Sequence, residues 1–192
     1  MKTNWPFVVT IASEKGGVGK TTLATNLAVY LKALREDLPV TIASFDNHFS
    51  IDQMFSIVRN RTATVADLFT GTPAAELAQI GEYGVQYLAS ERELIPVDQD
   101  VRRLSRLLTR SSLPGILILD TRPIKDRPSL VNVAALHSAL EKEEGDSSRV
   151  WLVPSLVDAR LRLRGNIRVG DFLAFSARER GYRVVDVHIS KS

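Results

Sequence analysis

The sequence predicts an α/β fold: a mostly parallel, twisted sheet with helices on both faces. Three observations support this prediction. Short apolar runs alternate with segments of helical periodicity, which is the pattern of βαβ units. The first run, residues 7–13, is almost continuously apolar, as expected of a strand that is buried on both faces. A glycine-rich loop joins this run to the first helix, so a ligand is expected at the carboxyl edge of the sheet.

The predicted elements follow one another as strands and helices of ordinary length. Strands are expected at residues 7–13, 40–45, 85–89, 116–119, 150–153 and 184–189. Helices are expected at residues 20–34, 51–58, within 62–71, at 73–80, from about 98 to 110, at 129–140 and at 167–180. Apolar residues at three- and four-residue spacing predict which side of the first helix faces the sheet: Leu23, Leu27, Tyr30, Leu31 and Leu34.

The composition is that of one ordinary globular domain. A length of 192 residues suits a single α/β domain spanning 1–192, and 44% hydrophobic residues suffice for a sizeable core. No apolar run approaches the roughly 20 residues of a membrane span, and residues 1–6 lead into no signal-peptide core. We therefore expect a cytoplasmic protein without a transmembrane segment. The chain has no cysteine, which fits a reducing compartment and excludes an iron–sulfur cluster held by Cys thiolates.

The glycine-rich loop has the residues of a phosphate-binding loop. Glu14 and Lys15 precede the run Gly16-Gly17-Val18-Gly19-Lys20-Thr21-Thr22. Glycines let the backbone curl and present N–H groups to phosphate oxygens, and the N-terminus of the following helix favours the same anion. Lys20 is expected to reach the β- and γ-phosphates, and the Thr21 hydroxyl to bind Mg²⁺. The simpler alternative is a glycine turn before an ordinary helix.

A second motif ends the predicted strand at 116–119. Four apolar residues are followed by Asp120, the pattern of a carboxylate that holds Mg²⁺ or its water beside a phosphate loop. Many strands end in Asp, so this pattern gains weight only from the loop before it. Arg122 follows shortly after, and it either binds nucleotide or points into solvent.

The loop resembles the deviant Walker A loop of the ParA/MinD family of P-loop ATPases. In that family two monomers enclose two nucleotides, and a lysine at the place of Lys15 reaches the phosphates across the dimer. The resemblance implies an ATP- and Mg²⁺-dependent, slowly hydrolysing homodimer. It assigns the catalytic roles to Lys15, Lys20 and Asp46. It assigns nucleotide binding to Gly16, Gly17, Val18, Gly19, Lys20, Thr21 and Thr22, with Thr22 on the α-phosphate. It assigns the metal to Thr21 and Asp120.

The segment after the second strand departs from the family pattern. The family usually has D-x-D-P-Q there, and its second aspartate orients the attacking water. In this chain Ser44 takes the first aspartate's place, Asp46 takes the second's, and Asn47-His48 replace Pro-Gln. The resemblance implies that Asp46 orients water, whereas the alternative is that Asp46 caps the helix that follows.

The resemblance covers most of the chain, closely at residues 8–46 and 115–123 and loosely elsewhere. Two family elements, a strand after Asp120 and the final helices, look reduced or absent, so the C-terminus is expected to be shortened. No amphipathic helix follows Ile189, which disfavours membrane binding of the MinD type.

The last third of the chain is rich in arginine. Non-specific DNA binding is expected through Arg160, Arg162, Arg164 and Arg168, unless these side chains form a solvated surface. Three functions follow: an ATPase switch for DNA or plasmid partitioning or intracellular positioning, with a protein activator; a nucleotide-gated DNA-binding protein; or a weakly catalytic or non-catalytic assembly subunit. Turnover with and without DNA distinguishes the first two, and nucleotide binding without turnover indicates the third.

Overall fold

The computed structural model describes residues 6–13, 16–45, 50–55, 63–91, 106–108, 113–121, 151–153, 155–157, 160, 162–186 and 189–190. These residues divide into two compact units. The first unit lies within 1–13 and 20–124, and the second within 14–19 and 125–192. The predicted helix at 129–140 and the predicted site residues Lys15, Asp46 and Arg122 lie outside the described residues. The prediction of a single domain stays a prediction.

The first unit alternates strands and helices as the sequence predicts. Its strands are β1 (Phe7–Ile11), β2 (Val40–Ser44), β3 (Gln79–Ile80), β4 (Gln86–Leu88) and β5 (Ile116–Asp120). Its helices are α1 (Lys20–Leu34), α2 (Ser50–Met54), α3 (Asp67–Thr70) and α4 (Ala74–Leu77), and a 3-10 turn spans Glu82–Gly84. Residues 106–108, within the predicted helix before β5, are helical.

The five strands form one sheet in the order β1-β5-β2-β4-β3. The first four are mutually parallel, and the short β3 is antiparallel to β4. The predicted fold class, a mostly parallel sheet with flanking helices, is therefore confirmed. The register sets Asp120 of β5 beside Ile11 of β1 on one side and beside Ser44 of β2 on the other. The carboxyl ends of the three strands consequently lie in one row.

Two hydrophobic cores cover the two faces of this sheet, because successive strand residues point to opposite faces. One core joins Ile42, Tyr87 and Ile118 to the helices α1 and α2. The other joins the neighbouring residues of the same strands to the helices α3 and α4. Its strand members are Ala43, Leu88, Leu117 and Leu119. Helices therefore pack on both faces.

Helix α1 has the predicted bounds, but it packs on the sheet through a different stripe. Tyr30 and Leu34 are both 60% exposed, so their predicted contact with the sheet is wrong. Ala24 and Ala28 are fully buried instead, and Leu27 and Leu31 pack beside them. Small side chains let the helix backbone approach the strands closely, so the alanines occupy the line of contact and the larger residues flank it.

Three other predictions about elements are corrected. Strand β1 is not buried on both faces, since none of its five residues is buried and Phe7 is 70% exposed. Residues 79–80 do not continue a helix, because α4 ends at Leu77 and β3 follows to pair with β4. The single strand expected at 184–189 is two short strands, at Arg183–Val184 and at Ile189–Ser190.

The second unit has two small parallel pairs of strands. The strands are β6 (Trp151–Leu152), β7 (Ser155–Val157), β8 (Arg183–Val184) and β9 (Ile189–Ser190), and β6 pairs with β8 while β7 pairs with β9. Helix α5 (Val169–Arg178) lies between β7 and β8 in the chain and within the predicted helix at 167–180. Before it, Arg162 and Arg168 pair across a tight antiparallel turn.

Candidate functional site

The first turn of α1 is joined to the end of β5 by one hydrogen bond. The Thr21 hydroxyl donates to Oδ2 of Asp120 at 2.7 Å, although the two residues are 99 positions apart in the sequence. Asp120 is almost completely buried. The two residues predicted to bind the metal therefore do meet, at the carboxyl edge of the parallel sheet.

The backbone around Asp120 is fixed from both neighbouring strands. Thr121, directly after it, donates to the carbonyl of Ile11 through both its amide (3.2 Å) and its hydroxyl (3.0 Å). On the other side, the amide of Phe45 donates to the Asp120 carbonyl at 2.9 Å. These bonds fix the backbone of Asp120 at the end of β5, and the Thr21 hydroxyl contacts its carboxylate.

Two side chains in the second turn of α1 donate hydrogen bonds to backbone carbonyls of its first turn. The Thr25 hydroxyl, which is fully buried, donates to the carbonyls of Thr21 (2.8 Å) and Thr22 (3.1 Å). The Asn26 amide donates to the Thr22 carbonyl at 2.8 Å. Neither residue was predicted to belong to the site, although a third threonine four positions after Thr21 was a visible signal.

The glycine loop has the backbone conformation that its residues predict. Gly17 and Gly19 have φ values of +72° and +88°, in the left-handed region that side chains with a Cβ rarely adopt. A Cβ atom at Gly17 would contact nothing, so the backbone conformation itself favours glycine there. Lys20 follows the loop as the first residue of α1 and is only 9% exposed.

Other polar residues of the carboxyl edge were not predicted. Asp52 of α2 is buried and accepts a hydrogen bond from the Ser90 amide, after β4, at 3.3 Å. Next to it, the Thr64 hydroxyl donates to Glu91 at 2.6 Å. Ser44, which the sequence already aligns with the first aspartate of the family pattern, is also buried, in register with Asp120. The only sequence signal for Asp52 was an acidic residue directly after Ile51 in a short helix, which is not specific.

The oxygen atoms of this site fit a magnesium ion. Mg²⁺ prefers hard oxygen ligands and is commonly held by one or two protein groups together with substrate phosphates and water. The Thr21 hydroxyl and the Asp120 carboxylate supply such groups, and Lys20 supplies a cation for phosphate. In the part of the chain that the structure describes, no group of three His, Cys, Asp or Glu residues has the geometry of a metal cage.

A parallel sheet with a glycine loop before α1 and a hydroxyl–carboxylate pair at its carboxyl edge defines the class of P-loop nucleotide-binding α/β proteins. A family model described as the CobQ/CobB/MinD/ParA nucleotide binding domain matches residues 9–150. The chain belongs to this family, and the resemblance to ParA/MinD chains is confirmed. No curated protein matches the sequence.

Solved structures with the same fold include McdA and a plasmid partition protein. McdA from Cyanothece, without ligand, has a TM-score of 0.72 at 19% identity, covering 97% of this chain and 86% of that one. An ATP complex of a McdA variant has a TM-score of 0.70 at 18% identity, covering 99% and 85%. A plasmid partition protein from Borrelia burgdorferi has a TM-score of 0.58 at 18% identity, covering 73% and 74%.

The fold also extends to a biosynthetic enzyme. Cobyrinic acid a,c-diamide synthase from Mycobacterium smegmatis, solved with an ATP analog and magnesium, has a TM-score of 0.55 at 16% identity. The match covers 93% of this chain and 72% of that one. At these identities the likeness establishes the fold alone. In the described residues, no helix has the length and apolar character needed to cross a membrane.

Proposed function

We propose that this protein is a Mg²⁺-dependent ATPase of the ParA type, which dimerises around ATP, hydrolyses it slowly and acts in DNA partitioning or intracellular positioning. The observation that carries the proposal is the 2.7 Å hydrogen bond between Thr21 and Asp120 at the start of a helix that follows a glycine loop. This arrangement brings a hydroxyl, a carboxylate and a lysine to the place where the fold binds phosphates.

Each residue of the proposed site has a separate role. Backbone amides of residues 16–19 and the Lys20 ammonium bind the phosphates, and Thr22 binds the α-phosphate. Thr21 and Asp120 hold Mg²⁺, which when bound neutralises phosphate charge. Asp46 orients the attacking water. Lys15 extends to the nucleotide of the partner subunit and offsets charge that develops during transfer, as an arginine finger does.

The partners in this proposal are a second copy of the chain, DNA and a protein activator. DNA binds without sequence preference through Arg160, Arg162, Arg164 and Arg168, which are exposed in the second unit. Four phosphate contacts to duplex DNA would give a log–log salt dependence with a slope of about −3.6. The proposal also includes a single domain spanning 1–192 and a cytoplasmic location.

A second candidate is a nucleotide-binding assembly or regulatory subunit with weak or absent turnover. The observation that favours it is Ser44, which ends β2 beside Asp120 where the family usually has an aspartate. Ser44 is buried, and a serine cannot supply the negative charge of the carboxylate it replaces. The Asn47-His48 replacement lies in the same segment.

The deciding experiment measures ATP affinity and phosphate release for the full chain, with Mg²⁺ or with a chelator, and with or without DNA. We expect Mg²⁺-dependent binding and slow turnover. Lys20→Ala should weaken binding about ten- to hundredfold, because it removes a charge-assisted contact to phosphate. Lys32→Ala, near the other end of α1, is the matched control and should bind normally. Binding by the parent without turnover in any condition would favour the assembly subunit, and no binding would refute both.

A further inference from the structure

Residues 162–168 of the second unit form a tight hairpin in which Arg162 and Arg168 are paired across the two strands. The Leu163 amide donates to the Ile167 carbonyl at 2.8 Å, and the Asn166 amide donates to the Leu163 carbonyl at 3.1 Å. Gly165 and Asn166 take left-handed φ values of +86° and +63°, which allow the chain to reverse. The sequence predicted only the start of a helix at residue 167 here.

The hairpin sets two like charges directly opposite each other. Arg162 and Arg168 are cross-strand partners, and Arg164 lies at the turn between them. All three side chains are exposed. Three exposed guanidinium groups within seven residues give the hairpin a concentrated positive charge, and guanidinium groups bind phosphate oxygens well. The hairpin is therefore suited to a chain of phosphates.

Helix α5 begins directly after the hairpin and presents two aromatic rings to solvent. Phe172 and Phe175 are 46% and 61% exposed, whereas Ala177 is buried. At 3.6 residues per turn, the two phenylalanines lie on the side of α5 roughly opposite Ala177. Residues three apart on a helix are neighbours, so the rings form one exposed aromatic surface. The Phe172 amide bonds to the Arg168 carbonyl at 3.0 Å, which ties this surface to the base of the hairpin.

We propose that Arg162, Arg164, Arg168, Phe172 and Phe175 form a binding surface for single-stranded nucleic acid. A single strand offers phosphates to arginines and unstacked bases to aromatic rings, and proteins bind it by this combination. A duplex offers the same phosphates but keeps its bases stacked inside, so the rings would gain nothing from it. Between residues 160 and 170 the sequence has four arginines and no acidic residue, so charge favours a polyanion.

This inference deepens the proposed function and rests on its DNA-binding part, whereas it is independent of ATP hydrolysis. The test uses fluorescence polarisation on the full chain, with a labelled mixed-sequence strand of about 20 nucleotides and the duplex of the same sequence. ATP turnover is measured on the same preparations. We expect the single strand to bind more tightly than the duplex, with a log–log salt slope of about −2 from three phosphate contacts.

The variants separate the rings from the charges. Phe172→Leu with Phe175→Leu keeps an apolar surface but removes base stacking, so single-strand affinity should fall about tenfold or more while duplex affinity changes little. Tyr30→Leu, an equally exposed aromatic residue on α1, is the control and should change neither. Arg162→Glu with Arg168→Glu should weaken both forms of DNA. Thermal unfolding of each variant checks that it is folded.

Three results would overturn the inference. The first is a single strand that binds no more tightly than the duplex, and the second is a double leucine variant that binds like the parent. The third is a parent that binds neither form, which would also remove DNA from the proposed function and leave the phenylalanines as a protein-docking face. Single-strand binding by a parent without ATPase activity would instead refute the proposed ATPase and retain the inference.

Discussion

At the residue scale, the candidate site depends on the contact between Asp120 and Thr21. Asp120 is buried and held by backbone bonds from both neighbouring strands, and Thr21 donates to its carboxylate. Removing a donor from a buried carboxylate is costly because the carboxylate also lacks water there. The same hydroxyl and carboxylate are the proposed metal ligands, so the contact serves both stability and binding.

The first prediction concerns the Thr21 hydroxyl. Thr21→Val should abolish most of the gain in ATP affinity that Mg²⁺ provides. Valine has nearly the shape of threonine but lacks the hydroxyl that is the proposed metal ligand. The free energy of unfolding should fall by about 1–3 kcal/mol, because a buried carboxylate loses its donor. ATP titrations with and without Mg²⁺, together with urea unfolding, measure both effects.

Thr25→Val is the matched control for this prediction. Thr25 lies one turn further along α1, and its hydroxyl binds backbone carbonyls rather than Asp120. We expect a similar or smaller loss of stability and an unchanged Mg²⁺ effect. If both valine variants lose the Mg²⁺ effect equally, the result reflects the shape of the helix start, and Thr21 is not the ligand.

The second prediction separates catalysis from capping at Asp46. Asp46→Ala should retain ATP and Mg²⁺ binding while turnover falls by about a hundredfold or more, since a positioned carboxylate that acts on water contributes at least that much. Phosphate release and equilibrium binding are measured side by side, and Asn47→Ala serves as control. A variant with parental turnover and a stability loss of about 1 kcal/mol would identify Asp46 as a helix cap.

At the scale of elements, the position of β5 depends on the residue that precedes it. Gly115 has a φ value of +78°, and its carbonyl accepts a hydrogen bond from Phe7 at the start of β1. A Cβ atom there would lie 2.0 Å from the Pro39 carbonyl oxygen, which already binds the Ile116 amide. The chain thus enters β5 between β1 and β2 through a gap that fits only glycine.

The third prediction tests this gap. Gly115→Ala should lower the free energy of unfolding by about 2–4 kcal/mol, because a left-handed penalty adds to a clash with backbone. Gly71→Ala is the control, since Gly71 has a φ value of +110° but open space around its missing Cβ. It should lose only about 1–2 kcal/mol. Equal losses in urea unfolding would show that the Pro39 contact has no effect.

At the scale of the whole molecule, the fourth prediction concerns dimerisation. Lys15→Ala should leave ATP affinity of the monomer nearly unchanged, because this lysine is proposed to act on the partner's nucleotide. Dimers induced by ATP or by a slowly hydrolysed analogue should disappear, and turnover should be lost with them. Light scattering after size exclusion measures the mass, with Lys32→Ala as control. Dimers of parental stability would rule out the cross-dimer role.

From the sequence alone, the fold class and most elements of the first unit could be predicted, and the residues of the proposed phosphate site could be named. Alternation of apolar runs with helical patterns is a local signal, and it located β2, α1 and β5 to within a residue or two. The glycine loop and the acidic residue Asp120 at the end of β5 can be recognised in the sequence for the same reason. Each requires particular residue types at fixed short spacing, whatever the rest of the chain does.

Which parts of the chain meet could not be predicted from local sequence patterns. Periodicity along α1 gave the spacing of its buried residues, whereas the choice of Ala24 and Ala28 over Tyr30 and Leu34 depends on how closely the strands beneath it approach. The same holds for the Thr21–Asp120 bond across 99 positions and for the arginines paired in the hairpin. Contacts between residues far apart in the chain, and turns set by left-handed backbone, follow from the three-dimensional arrangement because no local pattern encodes the partner.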